Sequence, residues 1–212
     1  MSAGATARPP VLDAGDRATL DAVAGALGDG AVVAIPTDTV YGRAARVDRP
    51  DAISAVFAAK DRPDGLALPV LVGRWRQAKE VAASWPREAS MLGARFWPGA
   101  LTIVVPVDPG LGTRLGGNGT SVGLRHPDHR FVRNLCRQAG PLAVTSANHH
   151  GAPPCTTAAA VCEAFDVTDI GLVVDGGTCD GVPSTVVDCT VTPPRCLREG
   201  GIAWSWIEAS LR

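Results

Sequence analysis

The chain has 212 residues, 46% of them hydrophobic and 19% charged, which supports one sizeable core without covalent staples. Its formal net charge of −1 gives no bulk electrostatic pull toward nucleic acid or an anionic membrane, so any anion site has to be local. No apolar run approaches the roughly 20 residues of a spanning helix, and the N-terminus lacks a secretory apolar core. Six cysteines without a C-x-x-C pair read as reduced, core-filling thiols, and a cytoplasmic setting is the simplest expectation.

Residues 1–11, small, polar and proline-containing, read as a flexible arm ahead of a single domain over 12–212. Asp16 is placed to cap a helix whose Leu20, Val23, Ala24 and Leu27 recur at helical spacing, with Gly28 and Gly30 closing it. Residues 31–35 read as a buried strand ended by Pro36, and they deliver Thr37, Asp38, Thr39 and Tyr41 as a polar cluster. Gly42 then permits a turn or a close backbone approach.

Asp48 and Pro50 open a second helix with Ile53, Val56 and Phe57 inward, ending at Lys60. Lys60-Asp61-Arg62-Pro63 sets two cations at that helix C-terminus, where the dipole favours them and proline forces an exit. A strand at 68–72, helices at 74–83 and 86–96, and a turn at Trp97-Pro98-Gly99 follow. After a strand at 101–107, the glycine-rich stretch 110–121 reads as a mobile connection that lacks both common phosphate-loop patterns.

The strand at 121–125 carries Arg125 at its end, and the helix at 128–139 is stopped by Gly140-Pro141. A strand at 142–144 delivers Thr145-Ser146-Ala147-Asn148. Thr156 is expected to cap the next helix, which runs through Ala160 to Phe165. A strand at 171–174, an Asp175-Gly176-Gly177 turn, a strand at 186–189, a basic turn at 198–201 and a helix at 203–211 complete the chain. Strands alternating with helices predict a mixed α/β sheet.

The polar residues that fall at element ends are Thr39, Lys60, Arg62, Arg125, Ser146, Asn148, Ser184 and Arg198. Four cations and four neutral hydrogen-bonding groups suit a polyanion, because Arg forks match phosphate or carboxylate oxygens while Ser, Thr and Asn fix orientation. A nucleotide with a small carboxylate fits this set. His126 with His129, or His149 with His150, lack the added Cys or carboxylate of a familiar zinc spacing and read as loop histidines. No G-x-S-x-G elbow or cysteine-nucleophile signature points to covalent catalysis.

PTDTVYG, KDRP, the strand ending in Arg125, TSAN, PSTVVD and LREG occur in the order found in the YrdC-like family, and the resemblance runs from about Leu12 to Gly201. The sequence is similar to the short, single-domain L-threonylcarbamoyladenylate synthases of that family. The resemblance implies an α/β fold with a twisted mixed sheet flanked by helices and a concave basic face. It implies condensation of L-threonine, bicarbonate and ATP, with Mg²⁺, into threonylcarbamoyl-AMP and pyrophosphate, a nucleotidyl transfer that starts the threonylcarbamoyl modification (t6A) of a tRNA adenosine. tRNA and the transferase proteins of that pathway are the implied indirect partners.

Carried over by position, Lys60 and Arg62 are the catalytic cations and touch the nucleotide, together with Ser121, Asn148, Thr156 and Arg198. Thr39, Arg125, Ser146 and Ser184 match the positions that hold L-threonine. The sequence departs from the usual pattern at Asp38 (commonly Glu), Arg43 (commonly Leu), Ala67 (commonly Pro), Leu71 (His in some members) and His150 (commonly Ser). Two other readings use the same residues: an RNA-binding paralogue without catalysis, and a related carbamoyl-adenylate chemistry.

Overall fold

A computed structural model describes residues 7–58, 67–117, 119–149 and 151–212. Along the chain lie β1 (Val11–Asp13), α1 (Arg17–Gly28), β2 (Val33–Ile35), β3 (Gly42–Arg46), α2 (Pro50–Ala58), β4 (Val70–Leu71), α3 (Trp75–Val81) and α4 (Arg87–Phe96). They are followed by β5 (Leu101–Pro106), α5 (Pro109–Arg114), β6 (Ser121–Arg125), α6 (Arg130–Ala139), β7 (Leu142–Ser146), α7 (Ala158–Ala164), β8 (Leu172–Asp175), β9 (Thr185–Asp188), β10 (Arg195–Arg198) and α8 (Trp204–Ala209). The strands form one sheet in the order β1-β8-β2-β3-β7-β4-β6-β5-β9-β10. Pairings β1–β8, β8–β2, β4–β6 and β5–β9 are parallel and the others antiparallel, so the sheet is mixed as expected.

The two-residue period of the strands divides the core. Ala45, Val70, Ala143, Ile103 and Leu124 face α2, α4 and α8, whereas Ala44, Leu71, Leu142 and Val144 face Val23 and Leu27 of α1 and Phe131 and Leu135 of α6. Ala34 and Val173 meet Val161 of α7 and Phe165, the residue after it, in a third cluster that includes Tyr41. The α1 start is as predicted: the Asp16 carboxylate accepts from Ala18 N at 2.9 Å. Leu71 is part of this core.

Several expectations change. Ala7 O accepts from Val167 N, Pro10 O accepts from Val173 N, and β1 pairs with β8, so residues 7–11 of the expected arm are bound to the body. Short polar sequence hides this, because ladder pairing needs only backbone groups. β3 and β10 were not legible either: GRAAR and RCLR have no alternating apolar pattern, and pairing with neighbours makes them strands. The expected mobile stretch at 110–121 contains α5, capped by Asp108, whose carboxylate accepts from Gly110 N and Leu111 N. Gly112 is required there, since a Cβ would lie 2.0 Å from Gly119 O. The cap of α7 is Thr157, not Thr156; its hydroxyl accepts from Ala160 N at 3.2 Å.

Gly42 fulfils the expected close approach. It pairs with Ser146 across the β3–β7 ladder, and a Cβ would sit 2.6 Å from Val144 Cγ2. All six cysteines are free thiols, with Cys136, Cys155, Cys179 and Cys189 buried as expected of core-filling residues. Burial pushes the Cys189 thiol up to about 12 and the Cys136 thiol up as well, which keeps both protonated and unreactive. Among the described residues no helix is long and apolar enough to cross a membrane.

Candidate active site

The polar cluster 37–41 is the connection between β2 and β3, which are paired at Ile35 and Gly42. Thr37 organises it. Its hydroxyl donates to Val40 O at 2.7 Å and accepts from the backbone N–H groups of Thr39 and Val40. With that proton committed, the 2.9 Å contact between the Thr37 and Thr39 hydroxyls has Thr39 as donor, so Thr39 Oγ1 is left to accept from elsewhere. Tyr41 locks the far end: its buried hydroxyl donates to Gly177 O at 2.8 Å and accepts from Gly176 N at 3.2 Å. Burial pushes its pKa up to about 12, so it remains a donor at neutral pH.

Arg125 is the group that Thr39 accepts from. Only 6% exposed at the end of β6, it donates from Nη1 to Thr39 Oγ1 at 2.7 Å, from Nη2 to Asp38 Oδ1 at 2.6 Å and from Nε to Gly99 O at 3.1 Å. Burial lowers its pKa and the Asp38 charge opposes that effect, so the guanidinium stays charged. A guanidinium has five N–H donors, of which three are committed here, one from each nitrogen.

Register then builds a row across the sheet. Thr102 of β5 lies opposite Arg125, and β5 runs beside β9 with Leu101 opposite Thr185. Thr102 Oγ1 and Ser184 Oγ are 2.8 Å apart, and Arg198 of β10 donates to Ser184 O from Nη2 at 2.9 Å. Burial and the nearby Arg125 charge both lower the Arg198 pKa, placing the two cations within electrostatic reach of each other. The 200–202 turn is held by Thr185 Oγ1, which accepts from Gly200 N and Ile202 N.

Other predicted residues are spread around this row. Ser146, opposite Gly42, and buried Asn148 continue the end of β7; both amide N–H groups of Asn148 are spent on the carbonyls of His149 and Ala152. Thr156 borders the 179–181 segment, whose Gly181 N donates to Thr39 O. Ser121 stands at the opposite end of β6, four strand steps or about 13 Å from Arg125, so the strand does not bring the two together. Lys60 and Arg62 lie outside the described residues.

Asp38 and Thr102 are the residues that sequence reasoning did not assign to the site. Asp38 had a visible signal as an acid inside a neutral polar cluster, whereas Thr102 is concealed in the apolar run LTIVVP and acquires its role only through the ladder. Among the described residues no group of three or more His, Cys, Asp or Glu could hold a metal. A Mg²⁺ carried by ATP phosphates needs few protein ligands. A cavity of about 1020 Å³ beside the starts of α1 and α6 is lined by Asp13, Arg17, His129 and Asp175, and by none of the predicted site residues.

His126 and His129 lie in the loop between β6 and α6, as expected, and each is partly buried. His126 Nε2 and His129 Nδ1 are buried without a hydrogen-bond partner, and burial lowers both pKa values. The folded chain therefore binds fewer protons than the unfolded one, so their contribution to stability is full above about pH 6.5 and is lost as pH falls below it. Thermal unfolding at pH 7.5 and 5.5 is expected to show that decline, and His126→Phe is expected to flatten it. An undiminished decline in that variant assigns the effect elsewhere.

Comparison with known proteins identifies the family. The family model Sua5_yciO_yrdC, described as "Telomere recombination", matches residues 25–200. The threonylcarbamoyl-AMP synthase of Bacillus subtilis (strain 168) is 40% identical over 180 residues, covering 84% of this chain and 52% of that protein. The threonylcarbamoyl-AMP synthase of Pyrococcus abyssi is 39% identical over 187 residues, covering 87% and 55%. This chain thus spans about half the length of both relatives. The crystal structure of P. abyssi Sua5 complexed with L-threonine superimposes with a TM-score of 0.86 at 35% identity, over 95% of this chain and 60% of that one.

Proposed function

This chain belongs to the Sua5/YciO/YrdC family, and we propose that it is an L-threonylcarbamoyladenylate synthase acting on L-threonine, bicarbonate and MgATP. The observation that carries the proposal is Arg125, a buried cation fixed in place by Asp38, Thr39 and Gly99 at the end of β6. In this reading Arg125 holds the threonine carboxylate, and Thr39, Ser146 and Ser184 orient the rest of the amino acid.

The threonine amine, once deprotonated, attacks bicarbonate carbon and expels water, giving a carbamate. A carbamate oxygen then attacks the α-phosphorus of ATP, and the bond to the β-phosphate oxygen breaks as pyrophosphate leaves. No protein nucleophile is needed. Lys60, Arg62 and Arg198 offset charge that builds on the leaving pyrophosphate, with Ser121, Asn148 and Thr156 as further nucleotide contacts. In this reading the product's mixed anhydride is a donor for a tRNA adenosine amine, and the enzyme works in the cytoplasm beside a transferase.

Pyrophosphate release that depends on both L-threonine and bicarbonate, with a product mass of threonylcarbamoyl-AMP, is the expected result. Absence of release with every amino acid, together with salt-sensitive RNA binding, would favour the RNA-binding reading instead. Loss of one charge-assisted contact is worth about 1.5 to 3 kcal/mol. Arg62→Ala is accordingly expected to lower kcat/KM for ATP about 10- to 100-fold without lowering the melting temperature, and wild-type kinetics would remove Arg62 from the site.

A further inference from the structure

Arg43 is the largest side chain among the fully buried residues, and it is a cation with little to hold it. It lies in β3 between the cluster containing Val56 and the one containing Phe165. Nη2 donates to Val56 O at 3.0 Å, while Nε and Nη1 are buried without a partner. Among the described residues it makes no ion pair. Its Cζ stands 4.8 Å from the Phe165 ring centroid, and the Asp169 charge favours the cation without pairing with it. Removing a guanidinium from water is costly, and one hydrogen bond, one cation–π contact and a distant carboxylate offset that only in part. An apolar side chain of similar volume fills such a space without that cost.

What this cation touches leads back to the site. Phe165 also stacks on His149, with ring centroids 4.6 Å apart, and His149 Nε2 is 2.7 Å from Ala164 O. His149 O in turn accepts from Asn148 Nδ2 at 2.9 Å. On the ladder Arg43 pairs with Thr145, the residue just before Ser146. Resting on the function proposed above, we propose that Arg43 is a positioning residue that, through Phe165 and His149, holds the turn after β7 and its Asn148 in place for the nucleotide.

The test uses Arg43→Met, which fills the space without charge, and Arg43→Lys, which keeps a cation over Phe165. Arg43→Met is expected to melt no lower than wild type. In the substrate-free protein, amide exchange at Ala147 and Ala152 is expected to rise at least tenfold, because both amides are hydrogen-bonded within or onto this turn. KM for ATP should rise about tenfold while KM for L-threonine stays within twofold, and Arg43→Lys should recover part of the loss. Unchanged exchange and unchanged KM for ATP overturn the proposal. So does a lower melting temperature with both KM values raised, or failure of Arg43→Met to fold, since either makes Arg43 a structural residue. If the wild-type chain uses no threonine, the function above fails, while the exchange experiment still decides the role of Arg43.

Discussion

Arg125→Ala is expected to reduce threonine-dependent pyrophosphate release by about 10³-fold or more. The substitution removes the guanidinium assigned to the carboxylate and also leaves the Asp38 carboxylate, whose side chain is 16% exposed, without its cation. Breaking a buried pair from one side costs about 3–5 kcal/mol, so the melting temperature should fall as well. A second variant separates binding from folding. In Asp38→Asn/Arg125→Gln both charges are gone and neutral hydrogen bonds can replace the pair, so much of the lost stability should return while turnover stays absent. Steady-state kinetics and thermal unfolding of the three proteins check this, and wild-type kcat/KM for threonine in either variant would take Arg125 out of the carboxylate site.

Gly200→Ala is expected to lower both stability and activity, for a reason unrelated to handedness. A Cβ at Gly200 would lie 2.2 Å from Pro183 O and 2.7 Å from Ser184 O. Both obstacles are backbone, so relief requires moving the Pro183–Ser184 segment that Arg198 and Thr102 engage. Overpacking of this kind costs about 1–3 kcal/mol, and a displaced Ser184 should raise KM for L-threonine. Gly201→Ala is the control, because its Cβ would meet nothing nearer than Ala100 Cβ at 3.3 Å. Equal losses in the two variants would mean that the whole turn, rather than the close approach at Gly200, sets the effect.

The parts of this molecule legible in its sequence are those specified locally. The α1 cap at Asp16, the strand runs at β5 and β6, and the polar exits after β2 and β7 each follow from side chains adjacent in sequence. Arg125, Thr39, Ser184 and Arg198 were visible as polar residues at element ends, although not as partners. What local pattern could not supply is pairing. β3 becomes a strand because β2 and β7 flank it, Asp38 acquires meaning from Arg125, and Thr102 joins Ser184 only because β5 and β9 run side by side. Arg43 could be seen as an unusual residue; its complete burial could not.

The sheet order also has a temporal side. Arg125 meets Thr39 across 86 residues of sequence, Thr102 meets Ser184 across 82, and Tyr41 is locked by Gly177 across 136. Contacts of such span form late and slow the folding of the chain that depends on them. During synthesis, the β2–β3 connection leaves the ribosome long before the segments that lock it exist, and it waits as an ordinary polar loop. Competence to bind is therefore acquired in one late step, and a nascent or half-folded chain has no partial site with which to engage substrate.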